Sequence, residues 1–230
     1  DLFGPGNGVG IVVHGTPSSG TTIEDCDVDG YDTALRLEGG PEDANGVGVT
    51  IFNSHFHATT SIDSNTLPFT MLGGELDGIV RMNSLDKPWS ANIVDHEDLE
   101  INITGDARLF ISHTWDIQAP SNFTLAMTIP EFDFTLGEQQ FEWNSPSQII
   151  ITHQAYSESG MVDAWYGEWT ATSEGYLPTS GQLQLDTTGQ RLLTIEMSLN
   201  AAPVVTIDGP TSIEMNAGQV LNYSASATDS

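Results

Sequence analysis

Apolar positions recur along the first hundred residues in a spaced pattern that neither an amphipathic helix nor a simple hairpin would produce. Ile23, Asp25, Cys26 and Val28 align with Ile51, Asn53, Ser54 and Phe56, then with Met71, Gly73, Gly74 and Leu76, then with Val94, His96, Glu97 and Leu99. The copies begin 28, 20 and 23 residues apart. The first and last columns are apolar in every copy, as expected of side chains from short strands that point into one continuous core. The second column holds Asp, Asn, Gly and His, residue types that tolerate positive φ, so each copy is expected to bend there in the left-handed region. A repeat of about two dozen residues with two or three short strands per turn predicts strands stacked in parallel from turn to turn. Glu97 interrupts the inward column, so the fourth copy is either no coil of this stack or a terminal turn with a wet interior.

From about residue 106 the pattern changes to longer alternating runs: Ala107 to Ile117, Asn122 to Ile129, and Leu193-Thr-Ile-Glu-Met-Ser-Leu199. Alternation at period two marks half-buried antiparallel strands, and the spacing predicts a two-sheet arrangement of about seven strands. The polar, turn-rich stretches 39–46 and 64–68 separate the early copies and are expected to project from the side of the stack.

The stretch Thr22 to Gly39, with its following strand Ala34 to Leu37, resembles one coil of the pectate-lyase-like right-handed parallel β-helix proteins. Gly167 to Pro178, followed by strands at 181–185 and 191–199, resembles carboxypeptidase regulatory-like or transthyretin-like domains, in which an aromatic strand enters a Gly-Tyr-x-Pro turn and then a final hairpin. The segment from Ala201 to Ser230 resembles the opening strands of a PKD-type or cadherin-like immunoglobulin-fold module. The expected class is therefore all-β. It comprises a short right-handed parallel β-helix over 1–106, an antiparallel β-sandwich over 107–200, and a partial immunoglobulin-like module over 201–230. These resemblances imply a segment of a longer extracellular stalk or surface-layer protein, with a spacer role for the middle domain.

Charge narrows the partners. With 32 acidic against 5 basic residues, the chain carries a formal charge of −27. Nucleic acid and anionic membrane surfaces are disfavoured, and so is direct insertion into a bilayer, because no stretch of the sequence is apolar for long enough to span one. Dense carboxylates suit a saline or calcium-rich surround, where counter-ions screen self-repulsion. The single cysteine, Cys26, excludes an intramolecular disulfide and a cysteine-based zinc site. Its alignment with Ser54 and Gly74 marks it as a small filler.

Four groups of residues are candidates for chemistry. Asp25 to Asp32 contains the D-x-D-x-D-G core of a calcium loop, which makes Asp27, Asp29 and Asp32 candidate calcium ligands. Arg36 stands where the last, bidentate Glu would be, and a solvated acidic strand face is the alternative. His55-Phe-His57 places two imidazoles on one outward strand face, able to hold zinc or copper if a third ligand joins them. No such ligand is near in sequence. Asn102-Ile-Thr, Asn122-Phe-Thr and Asn222-Tyr-Ser are glycosylation sequons. Arg36 and Arg81 lie on matching strands and could meet the carboxylate of a uronate, although the excess negative charge opposes a polyanion. Paired catalytic carboxylates and a G-x-S-x-G nucleophile motif are both missing from the sequence.

The expected function is thus a non-enzymatic, extracellular structural or adhesive component at a cell surface or in a filament. Its partners would be further copies of itself or other surface proteins, and extracellular glycan. A fragment of a polysaccharide lyase or hydrolase, or a glycan-binding module using Trp165 to Trp169, are the alternatives.

Overall fold

The computed structural model describes residues 1–15, 20–40, 43–120, 122–130, 138–185, 190–200, 204–208 and 224–228. Strands dominate, and the one helical turn among these residues is a short 3₁₀ segment at Asp43–Asn45. The protein is all-β, as the alternating and columnar patterns predict.

The first part is a parallel ladder. The short strands β1 (Leu2–Phe3) and β2 (Val9–His14) pair in parallel with β4 (Asp27–Glu38), while β3 (Thr21–Glu24) and β4 both pair in parallel with β5 (Val49–Asn65). Next in the ladder come β6 (Phe69–Val94) and β7 (Ile101–Gln118), each parallel to the one before. The register places Ile23 beside Ile51 and Ile51 beside Met71, and likewise Val28 beside Phe56 and Phe56 beside Leu76. Ile51, Met71, Val28 and Phe56 are fully buried, and with Leu35, Ile62, Val80 and Met82 they form one apolar cluster running through the stack. Burial of side chains this large is worth about 1.5–3 kcal/mol each, which makes the inward columns the main source of the ladder's stability.

Between the inward columns the chain bends at Asp25, Asn53 and Gly73, with φ of 51°, 44° and 67°. Asp and Asn reach this region at lower cost than other non-glycine residues, because their short polar side chains can bond locally. Asn53 Nδ2 donates to Asp25 Oδ1 at 2.8 Å, so adjacent bends are tied to one another.

The fourth copy is displaced by one residue from the sequence alignment. Ile93, not Val94, continues the inward column through its pairing with Ile111, and the positive φ falls on Asp95 at 64°, not on His96. The amide of Asp95 donates to Ser112 O as that of Asp25 does to Phe52 O. Both Ile93 and Val94 are apolar and buried, so hydrophobicity alone could not select between them. Glu97 is exposed and pairs with Arg191, and so does not wet the interior.

β7 crosses residue 106 without a break. Residues 101–112 complete the parallel ladder and residues 109–116 pair antiparallel with β10 (Gln148–Ser157), so 109–112 lie between two partners. A separate four-stranded antiparallel sheet is built from β8 (Thr124–Ile129), β9 (Gln139–Asn144), β12 (Tyr166–Thr172) and β13 (Thr179–Gln184), in the order β13-β12-β8-β9. A second apolar cluster joins the two sheets: Trp115, Ile149, Ile151 and Leu193 from one, Leu125, Met127, Ile129 and Leu183 from the other. β11 (Gly160–Asp163) closes a hairpin with β10.

Leu193 to Leu199 does not form the expected antiparallel strand. Only β14 (Leu192–Thr194) is regular; it pairs in parallel with β7 and makes no hairpin with β13. Alternation had reported its buried side correctly, since Leu193 and Ile195 are both buried, but it carries no information on partner or direction. β15 (Val204–Asp208) and β16 (Ser224–Thr228) form a separate antiparallel pair.

Candidate metal centre and polar groove

Strand periodicity builds the most distinctive polar cluster. Phe56 is anchored in the core between Val28 and Leu76, so its neighbours His55 and His57 must face outward. Parallel register then stacks Asp27, His55 and Glu75 in one column, and Asp29, His57 and Asp77 in the next. The result is a grid, two columns by three strands, of carboxylates above and below a pair of imidazoles. The ligand atoms of His55, His57 and Glu75 lie within 4.8 Å of one another. The two rings are 6.3 Å apart at 78°, and Asp77 Oδ2 approaches His57 Nδ1 at 3.8 Å. Glu75 is the third ligand that the histidine pair lacks in local sequence.

The candidate calcium ligands are arranged differently. Asp27 and Asp29 stand on this outer face, but the ladder shifts register between Asp29 and Tyr31. Asp32 instead turns toward the N-terminal loop, where its carboxylate accepts the Gly8 amide at 3.2 Å.

A second polar column runs Arg36, Asp63, Arg81, Asn102 across four strands in register. Arg36 Nε reaches Asp63 Oδ2 at 3.4 Å, so a carboxylate separates the two guanidinium groups that sequence had placed on matching strands. With Glu38, Asn65, Asn83 and Thr104 they line an open groove of about 400 Å³.

The sequons fall in contrasting places. Asn102 is exposed within this groove, and the hydroxyl of its Thr104 donates to Asn83 Oδ1 at 2.9 Å. Asn122 is exposed at a bend with φ of 59°, and Thr124 donates to Asn144. Asn222 lies outside the described residues. Cys26 packs partly against the core, and its amide donates to Ser54 Oγ at 3.2 Å, in keeping with a filler. Trp165 is exposed, whereas Trp169 packs on the second core and across Gly181, so the two do not form one aromatic platform.

A buried histidine pair sits where the two parts of the fold meet, and no motif signals it. His113 and His153 stack with ring centroids 4.2 Å apart, and Arg191 Nη2 lies 3.1 Å from His113 Nε2. Burial depresses the pKa of both rings. For His153, burial, then the neighbouring His113 and Arg191, push it down to about 4. For His113, burial and Arg191 outweigh the opposing pull of Asp95 and Glu97. His96 is likewise lowered by burial, against smaller contributions from a Gly73 backbone hydrogen bond, Asp95 and Glu75.

No protein-family model, curated protein or solved structure matches the chain. Among the described residues no helix is long and apolar enough to cross a membrane.

Proposed function

We propose that this chain is a non-enzymatic structural segment of an extracellular surface or filament protein, with the parallel ladder as a short right-handed β-helix and the two later sheets as a sandwich that caps it. The observation that carries this reading is where the ladder's polar side chains are directed: they bond from turn to turn. Asn53 reaches Asp25, Arg36 reaches Asp63, and Thr104 reaches Asn83. Further along, Ser112 reaches Asn92, and Thr114 donates to Asp95 through both backbone and side chain, at 2.7 and 2.6 Å. Such contacts contribute about 0.5–1.5 kcal/mol each and stiffen the stack along its axis. That is the behaviour wanted of a spacer that bears load or holds binding loops apart. The charge of −27 keeps such a segment soluble at high salt and repels polyanions.

A second reading, capture of extracellular glycan, is favoured by the groove, where Arg36, Arg81 and three asparagines offer donors to hydroxyl or carboxylate groups. One experiment addresses both. An antibody raised against the purified chain is applied to intact and permeabilised native cells, and the chain is incubated with alginate and polygalacturonate. Labelling of intact cells without release of reducing ends is expected, and saturable retention of either glycan without turnover would support capture, whereas no retention would defeat it. Labelling only after permeabilisation would defeat the structural reading, as would turnover that is lost when a single Asp is changed to Asn.

A further inference from the structure

We propose that His55, His57 and Glu75 form a binding site for a borderline divalent transition metal, with Zn²⁺ as the reference ion, and that the bound ion staples two adjacent turns of the ladder. Metal binding at this site does not depend on any role at a cell surface. Two imidazoles and one carboxylate are the donor types zinc takes, whereas calcium draws on oxygen alone. A cluster of acids would not support this choice; the pair of nitrogens does.

Geometry supports it next. Zinc bonds of about 2.1 Å in a tetrahedron place ligand atoms about 3.4 Å apart. The three side chains bring theirs within 4.8 Å of one another. Closing the remaining gap, at most about 1.4 Å, needs only side-chain rotation on a face where Glu75 is exposed and His57 is half-buried. The backbone beneath is fixed, because Phe56 between the two histidines is fully buried and both strands are held in the ladder. Rigid strands are a better platform for a metal than a loop.

The surroundings add two further features. Asp77 Oδ2 lies 3.8 Å from Nδ1 of His57, too far for a hydrogen bond, and places a further carboxylate beside the ring. Asp27 and Asp29, in register with the two histidines on the opposite side, add negative potential that draws a cation to this part of the face. Three protein ligands leave the fourth position of a tetrahedron open to solvent. His55 and His57 belong to β5 and Glu75 to β6, so coordination would bridge successive strands of the ladder.

The test is a competition titration of the full chain, stripped by chelator, against a chromophoric zinc indicator in physiological salt. It is repeated with His55→Ala, His57→Ala, Glu75→Gln and Asp77→Asn. The expected result is one zinc per chain, affinity weakened roughly tenfold or more by each of the first three changes and less by the last, and no displacement by excess calcium. Zinc should also raise the melting temperature of the parent and not of His55→Ala, which reads the staple independently of the indicator. Cobalt in place of zinc should show the intense visible bands of a four-coordinate ion. Absence of stoichiometric binding would overturn the proposal. So would binding that survives both histidine changes or yields to calcium, because the ion would then be held by the general acidic surface.

Discussion

Acid should loosen this protein at the junction between its two parts, through His153. In the unfolded chain the ring takes up a proton near its ordinary value of 6.5, whereas in the folded protein it resists protonation until about 4. The unfolded state therefore binds more protons throughout that window, and stability falls as pH drops from about 6.5 toward 4, with the full contribution present above it. Between about pH 7.5 and about pH 4.5 the linkage amounts to roughly 2–3 kcal/mol for this one group. Its side chain is buried, stacked on His113 and close to Arg191, so solvent offers little relief. An opposite trend is superimposed: protonating carboxylates relieves the self-repulsion of a chain carrying −27 and favours the compact state. The two are separated by His153→Phe, which keeps an aromatic ring against His113 and removes a buried nitrogen that has no hydrogen-bond partner. Urea unfolding of both proteins at the two pH values gives four free energies, and their double difference cancels the carboxylates. The parent should lose roughly 2–3 kcal/mol more than the variant on acidification, while at the higher pH the variant should be equal or slightly more stable. If both lose the same amount to within about 0.5 kcal/mol, the buried pair does not control acid stability and the argument fails.

Two glycines with nearly equal φ should respond unequally to alanine. Gly73, at φ 67°, has open space around the site of a Cβ, so Gly73→Ala should cost about 1 kcal/mol for the left-handed bend alone. Gly105, at φ 70°, would drive its Cβ into the carbonyl oxygen of Ser84 on the adjacent strand, so Gly105→Ala should cost about 2–4 kcal/mol; equal melting temperatures for the two variants would refute the close approach. Millimolar calcium should raise the melting temperature more than sodium chloride of equal ionic strength, because an ion at a hundredfold excess over its Kd adds about 2.7 kcal/mol to the native state. Identical melting of chelator-treated and calcium-loaded protein would remove both calcium at Asp27, Asp29 and Asp32 and the broader screening argument.

Which residues face inward is legible in the chain wherever one apolar position is unambiguous. Ile23, Ile51 and Met71 could be aligned from hydrophobicity alone because burial selects apolar side chains, and the bends at Asp25, Asn53 and Gly73 because positive φ selects Asp, Asn and Gly. That selection loses its force at Ile93-Val94, two adjacent apolar residues, where the pairing of Ile93 with Ile111 and the hydrogen bond from the Asp95 amide to Ser112 O mark the column. It was equally silent on the partner of Leu193, because a period of two records a buried side and leaves the neighbour open. The candidate metal centre divides along the same line. Two histidines on one strand face follow from their spacing, since a strand alternates its side chains. Glu75 reaches them across 20 residues because the ladder register pairs His55 with Glu75, and register is set by the packing of whole turns on a shared core. The stacking of His113 on His153 belongs wholly to tertiary structure, because it depends on β7 serving both the parallel ladder and the antiparallel pair with β10.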